Sequence, residues 1–296
     1  MNDRKQNRNR IFFKRSKNCY PDILPAKQIT DFTSLFTRKG KVNTPGQRIA
    51  AFPDKSSQEK KMTYRLRNLA PWGRNFDEYT HMFGLCDTEL NGKIAGFADG
   101  PASFNAECCQ QGGQVVSFDP VYRYPVEKLE LCLQEAKRLM FEDICKNTPL
   151  DGSIAARNID ELEKHHMEAT RSFLDDYEKG KTEGRYIDHE LPFKIPFPDD
   201  SFDLGLSSHF LMLYPRLGIN FHLQALEEML RICQEIRVFP TVDKTGKPCG
   251  LTDRLIGHFC EDYKVTLKKT ACHYMNGAHE MLVIGRKDVD TSPVLH

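Results

Sequence analysis

The sequence predicts an α/β fold, a mostly parallel seven-stranded sheet ending in an antiparallel hairpin, and three observations predict it. Short apolar runs alternate with stretches of helical periodicity across the middle of the chain, the pattern of successive βαβ units. The first run, Ile94-Ala95-Gly96-Phe97-Ala98, breaks at a small-residue turn, Asp99-Gly100-Pro101-Ala102-Ser103. The second, Val115-Val116-Ser117-Phe118, closes on Asp119. Near the end two strand-like runs flank Asn276-Gly277, a dipeptide that favours tight hairpin turns.

Taken in order, Phe76, Tyr79 and Phe83 fall at helical spacing and place a helix before the first strand, with Trp72 just ahead of it. After Asp119 come two helical patterns, one through Leu129, Leu133, Leu139-Met140 and Ile144, the other through Leu162, Ala169, Phe173-Leu174 and Tyr177 to Gly180. A parallel crossover needs only one helix, so about 127–180 contains an insertion after strand 2. Strand 3 spans Gly184 to Asp188, and prolines with Asp199-Asp200-Ser201 make the next stretch a loop. Phe202 to Ser207 is strand 4, His222 to Cys233 a helix, and Glu235 to Pro240 strand 5. A helix over Thr252 to Asp262 leads into the closing strands, Tyr263 to Tyr274 and His279 to Arg286.

Charge divides the chain. Residues 1–61 hold 15 Lys and Arg against 5 Asp and Glu, an excess of +10, while the rest carries −9. This predicts a basic, mostly disordered arm at 1–61, a folded domain over 62–288 and a short tail at 289–296. The arm is either a solvated segment or a contact for nucleic acid or another polyanion. No apolar run approaches the roughly 18 residues that span a membrane, so a soluble cytoplasmic protein is expected. Ten scattered cysteines without a C-x-x-C pair point to reduced thiols and no metal site.

The turn and Asp119 together form half of a nucleotide-binding unit. A small-residue turn admits a ligand close to the backbone, and an acid about 20 residues further on accepts two ribose hydroxyls. A nicotinamide-dependent dehydrogenase shares this feature.

Three segments narrow the choice: Trp72-Gly73-Arg74-x-Phe76-Asp77-Glu78-Tyr79, Asp99 through Glu107, and Ser208-His209-x-x-x-x-Tyr214. With Leu191-Pro192-Phe193 and Phe197-Pro198-Asp199-Asp200-Ser201-Phe202-Asp203, they resemble class I S-adenosylmethionine-dependent methyltransferases over about 71–286, nearest to a mainly bacterial group of unassigned substrate. The resemblance implies a Rossmann-like methyltransferase fold, S-adenosylmethionine as cofactor and transfer of a methyl group to an unidentified acceptor. It implies cofactor contacts from Gly96, Ala98, Asp99, Gly100, Asp119 and Pro120, with the loop at Asp188 edging the adenine. The family pattern E/D-x-G-x-G-x-G falls on Gly96, Ala98, Gly100 and Ala102, so the leading acid and two glycines are replaced. A methyl group at Ala98 or Ala102 obstructs close backbone approach or holds φ negative, which keeps open a methyltransferase fold that binds or regulates without turnover.

Arg74 offers a planar fork to the cofactor's carboxylate, or else pairs with Asp77 or Glu78 at the surface. His209, just past strand 4, is the candidate base, or a buried hydrogen-bonding residue. Tyr214 is an alternative substrate contact. His165-His166 reads as solvated, and Pro215 to Phe221 and the insertion as walls of the acceptor site.

Overall fold

A computed structural model describes residues 73–147, 154–248, 250–271 and 278–287. The basic arm, Trp72, the Asn276-Gly277 turn and the tail lie outside the described residues.

Helix α1 (Phe76–Phe83) opens on a capping box. The Asn75 side chain accepts from the Glu78 amide at 2.8 Å, and the Glu78 carboxylate accepts from the Asn75 amide at 2.9 Å. A short helix that the sequence did not announce, α2 (Asp87–Leu90), leads into β1 (Lys93–Phe97). Then follow α3 (Phe104–Gln110), β2 (Gln114–Phe118) and a 3₁₀ turn over Pro120–Arg123. Two long helices, α4 (Val126–Asn147) and α5 (Ile154–Thr182), precede the two-residue β3 (Tyr186–Ile187). The rest runs β4 (Phe202–Ser208), α6 (Ile219–Ile232), β5 (Cys233–Phe239), α7 (Leu251–Phe259), β6 (Tyr263–Lys269) and β7 (Glu280–Arg286).

The seven strands form one sheet in the order β3-β2-β1-β4-β5-β7-β6, parallel from β3 through β5 and antiparallel at β5–β7 and β6–β7. This is the expected fold class, a mostly parallel sheet with an antiparallel C-terminal pair. β6 stops at Lys269, short of Tyr274. It is an edge strand, largely exposed, and Lys264, Lys268 and Lys269 protect it from pairing with other chains.

Side chains alternate across the central strands. Ala95, Phe97, Ile236, Val238, Leu282 and Ile284 face one layer, packed under α6 and α7, while Ile94, Leu204, Leu206 and Val283 face the other, under α1 and α3. Arg237 is buried in β5, where it donates to the Phe83 carbonyl at 2.9 Å and pairs with Glu89 and Glu235. A buried guanidinium is tolerated because all of its faces are partnered.

The end of α5 is part of the fold proper. Phe173 and Tyr177 pack with Tyr122 and Tyr186 in a third buried cluster, and Asp176 holds Arg185 through two bonds of 2.7 and 2.8 Å. The crossover to β3 is therefore the second half of α5, and the surplus chain is α4 with the first half of α5. The Tyr177 hydroxyl lies 2.8 Å from the Tyr122 carbonyl and 2.9 Å from that of Tyr124. Tyr177→Phe is expected to cost about 1–2 kcal/mol, because two buried carbonyls lose the one hydroxyl proton they share while ring packing is kept. Urea denaturation checks this, and an unchanged midpoint would mean that the carbonyls find another donor.

Candidate functional site

The chain order fixes where a ligand belongs. From β1 the sheet grows one way to β2 and β3, then the chain returns to place β4 on the other side of β1. The crevice at the carboxyl ends of β1 and β4 is the topological switch point, where open α/β sheets bind ligands. Gly96, Ala98, Asp99, Gly100, Asp119, Pro120, Asp188 and His209 all lie at or next to the carboxyl ends of β1 to β4.

Asp119 joins two of these ends. Its Oδ2 accepts from the Gly100 amide and its Oδ1 from the Val121 amide, both at 2.9 Å, so it ties the turn after β1 to the 3₁₀ turn that starts at Pro120. The Asp119 amide donates to the Ile187 carbonyl at 3.1 Å, and the Tyr122 hydroxyl donates to the Gly100 carbonyl at 2.8 Å. Burial pushes the Asp119 carboxyl up to about 6, against the two amides that favour its charge and with the charges of Asp99 and Asp188 adding to the rise.

Asp99 points elsewhere. Its carboxylate folds back over Gly96, accepting from the Tyr79 hydroxyl at 2.8 Å and from Ser117 Oγ at 2.7 Å. A Cβ at residue 96 would meet Asp99 Oδ2 at 1.7 Å. The glycine is thus required by the acid three residues later. Burial pushes Asp99 up to about 6, with the two hydroxyls working the other way.

Ala98 departs from the sequence expectation. Its φ is +57°, so alanine occupies the left-handed conformation that a glycine usually takes, anchored by its amide to the Phe118 carbonyl at 2.8 Å. His209 has a φ of +53°. Among the described residues only Ala98, Asp200 and His209 are non-glycine residues with positive φ, and two of the three stand at the switch point, Ala98 one residue past β1 and His209 one residue past β4. Left-handed backbone costs on the order of 1 kcal/mol per residue and gathers at functional sites. Ala102 is buried against the α1 layer.

Arg74 lies over the crevice. Its carbonyl accepts from the Ser103 amide at 2.9 Å, and its guanidinium donates to Glu78 at 2.7 Å and lies 3.5 Å from His209 Nε2. The pair with Glu78 forms as the spacing suggests, but within the protein rather than at its surface, since Glu78 is 1 % exposed. Burial raises the Glu78 carboxyl, but Arg74, His166 and the Asn75 amide outweigh it and leave it below the usual range. Burial, then the charges of Arg74 and His166, hold His209 well below its ordinary pKa. The ring is therefore neutral at pH 7. Its Nδ1 is 2.8 Å from Ser208 Oγ, which reaches Met82 Sδ at 3.4 Å, so a proton on Nδ1 leaves the Nε2 lone pair toward Arg74.

Other expectations need changes. His166 is buried, with Nδ1 3.1 Å from the Gly73 carbonyl, not solvated. Three residues before Ala169 and seven before Phe173, it continues the buried face of α5 and meets the Gly73-Arg74 segment there. Asp188 forms an ion pair with Arg123 at 2.9 Å, with both side chains about 40 % exposed. Tyr79, Ser117 and Tyr122 hold the turn; the sequence sets Tyr79 on a helical face and Ser117 in an apolar run, but no spacing ties any of the three to Asp99 or Gly100. Clefts of about 500 and 550 Å³ open away from the switch point, one along α5 at Glu168, Arg171 and Asp175, the other near Lys93, Gln114 and Phe202. Neither is lined by Gly100, Asp119 or His209.

Sheet order, register and the terminal antiparallel pair make this a class I methyltransferase-like fold. The chain belongs to the family of the uncharacterized protein MJ0045 of Methanocaldococcus jannaschii, with which it is 32 % identical over 229 residues, 75 % of this chain and 98 % of that protein. No protein-family model matches the sequence. Among solved structures it is similar to a SAM-dependent methyltransferase from Aquifex aeolicus, at 12 % identity and a TM-score of 0.34, covering 78 % of this chain and 97 % of that one. It is also similar to magnesium protoporphyrin IX methyltransferase from Synechocystis with bound SAM, at 9 % identity and a TM-score of 0.38, covering 80 % and 87 %. Among the described residues no helix is long and apolar enough to cross a membrane, and no group of three or more His, Cys, Asp or Glu is placed to hold a metal ion.

Proposed function

We propose that the protein is an S-adenosylmethionine-dependent methyltransferase, and the observation that carries this is Asp119. A carboxylate at the carboxyl end of β2, bonded to the amide of Gly100 in the turn after β1, is positioned to accept ribose hydroxyls beside an open backbone. The surroundings fit the cofactor. A Cβ at Gly100 would meet nothing nearer than Asp119 Oδ2 at 4.0 Å, so the turn leaves room for close approach. Ser207 Oγ and Ser103 Oγ, one opposite Phe97 at the end of β4 and one at the start of α3, are buried without a hydrogen-bond partner among the described residues. Arg74 supplies the cation for the amino-acid carboxylate, and Ala98 and Gly96 form the turn's floor. Pro120 and Asp188 edge the base. Asp99 serves the site by shaping this turn, since its carboxylate is folded inward over Gly96 onto Tyr79 and Ser117.

When bound, the cofactor supplies a methyl group on a positively charged sulfur, and the protein's task is alignment and, for a protonated acceptor, removal of a proton. His209 is neutral and sits at the switch point, which suits it to receive that proton on Nε2 once an acceptor displaces Arg74 from that nitrogen. The antiparallel β7 between β5 and β6 departs from the 3-2-1-4-5-6 order of dinucleotide-binding sheets, which favours this reading over a dehydrogenase.

Calorimetry with S-adenosylmethionine and S-adenosylhomocysteine tests it. Saturable binding of both is expected, with NAD silent. No heat with either would overturn the reading, and binding without methyl transfer across a broad acceptor panel would instead identify a binding or regulatory module. Contact between the arm at 1–61 and a polyanion is a separate proposal supported by its +10 charge.

A further inference from the structure

The carboxyl ends of β4 and β5 lie beside the switch point, on the side away from Asp119. If the cofactor occupies the β1–β2 side, as proposed above, the acceptor has this side. Two loops meet there. The loop after β4 carries Phe210, Tyr214 and the 3₁₀ turn Pro215–Leu217, and the loop after β5 carries Lys244. Lys244 Nζ stands over the Tyr214 ring at 4.0 Å from its centre, and the Arg216 guanidinium at 5.8 Å.

Among the described residues neither cation has an acidic partner. The nearest acid in sequence, Asp243, is committed to its own turn, where Oδ1 accepts from the Thr245 amide at 2.8 Å, the Thr245 hydroxyl at 2.7 Å and the Lys247 amide at 3.2 Å. Lys244 is half-buried. Two like charges drawn to one aromatic ring, one of them partly out of water, repel each other without compensation. Burial and then the charge of Arg216 lower the Lys244 pKa, in keeping with that repulsion. A bound anion removes the repulsion. The ring offers a flat apolar surface next to the charges, and Phe210 extends it at 5.9 Å.

We infer that Arg216 and Lys244, gathered on Tyr214 at the carboxyl ends of β4 and β5, bind an anionic group, carboxylate or phosphate, of an aromatic or apolar methyl acceptor. This deepens the methyltransferase reading and rests on it. Arg216 supplies a planar fork for two anion oxygens and Lys244 a compact charge, while the reacting atom lies toward His209.

The test is calorimetry on the full chain with three probes of one shape: phenyl phosphate, benzoate and neutral benzamide, each with and without saturating S-adenosylhomocysteine. Wild type is expected to bind at least one of the two anions about tenfold or more tighter than the Arg216→Gln/Lys244→Gln variant does, and to bind benzamide no better than the variant does. Phenyl phosphate or benzoate, whichever binds, names the source of the charge. The variant is expected to keep S-adenosylhomocysteine affinity within about twofold, which shows that it folds and that the two sites are separate. Equal anion affinity in variant and wild type would overturn the inference, as would competition between anion and S-adenosylhomocysteine. Anion binding lost in the variant, with S-adenosylhomocysteine silent in both proteins, would instead overturn the methyltransferase reading and with it the assignment of this site to a methyl acceptor.

Discussion

Asp119→Ala is expected to weaken S-adenosylhomocysteine binding about a hundredfold or more. Each hydrogen bond from a ligand hydroxyl to a buried carboxylate contributes on the order of 1.5–3 kcal/mol, and the proposed role gives Asp119 two of them. The same substitution also removes the acceptor of the Gly100 and Val121 amides, so the turn after β1 loses its tie to β2. Affinity therefore falls through two routes, lost contact and lost pre-organisation. Circular dichroism and a melting curve separate these from global unfolding. Calorimetry showing affinity within about threefold of wild type would mean that the ribose is held elsewhere, and the proposed function would lose its main support.

Asp119 was legible because its place depends only on local order. An apolar run that becomes a parallel strand must end at the carboxyl edge of the sheet, and an acid at that end stands in the crevice whatever the rest of the chain does. The helices were legible for a similar reason, since Phe76, Tyr79 and Phe83, or Leu226, Met229 and Leu230, mark buried faces directly. Asp99 was not. Its carboxylate faces inward because Tyr79, 20 residues earlier, and Ser117, 18 residues later, both aim hydroxyls at it, and no pattern within the turn encodes either partner. The positive φ of Ala98 is likewise imposed from outside, through the Phe118 carbonyl and the fold of Asp99. His166 is a different case. It falls four residues after Leu162 and three before Ala169, on the face that the apolar spacing marks as buried, so helical position outweighs the polarity of the residue.

Gly96 and Asp99 make this dependence measurable. Gly96→Ala places a methyl group where the Asp99 carboxylate lies, 1.7 Å from Oδ2, and the carboxylate cannot swing away without abandoning Tyr79 and Ser117 in the core. A loss of about 3 kcal/mol or more is expected from urea denaturation, combining overpacking with buried hydroxyls left unpartnered. Adding Asp99→Ala to Gly96→Ala should cost less than the two single losses together, because the clash and the acid vanish at once. Asp99→Asn isolates the charge. The Asp99 carboxyl is pushed up to about 6 from 3.8, so folding favours its protonated form. Its stabilising contribution is complete below pH 3.8 and is lost as pH rises through about 6. The asparagine variant has no such loss, so its stability relative to wild type should rise between about pH 4 and 7 and then level off. A gap of two pKa units puts the share of Asp99 itself at no more than about 3 kcal/mol. Glu78 and His209, whose pKa values are lowered, titrate in both proteins and cancel in the difference. Asp119, raised to about 6 in part by the Asp99 charge, is relieved of that charge in the asparagine variant and adds to the rise in the same direction. A difference that stays flat across this range, together with a Gly96→Ala variant as stable as wild type, would show that Asp99 does not lie over Gly96 in solution.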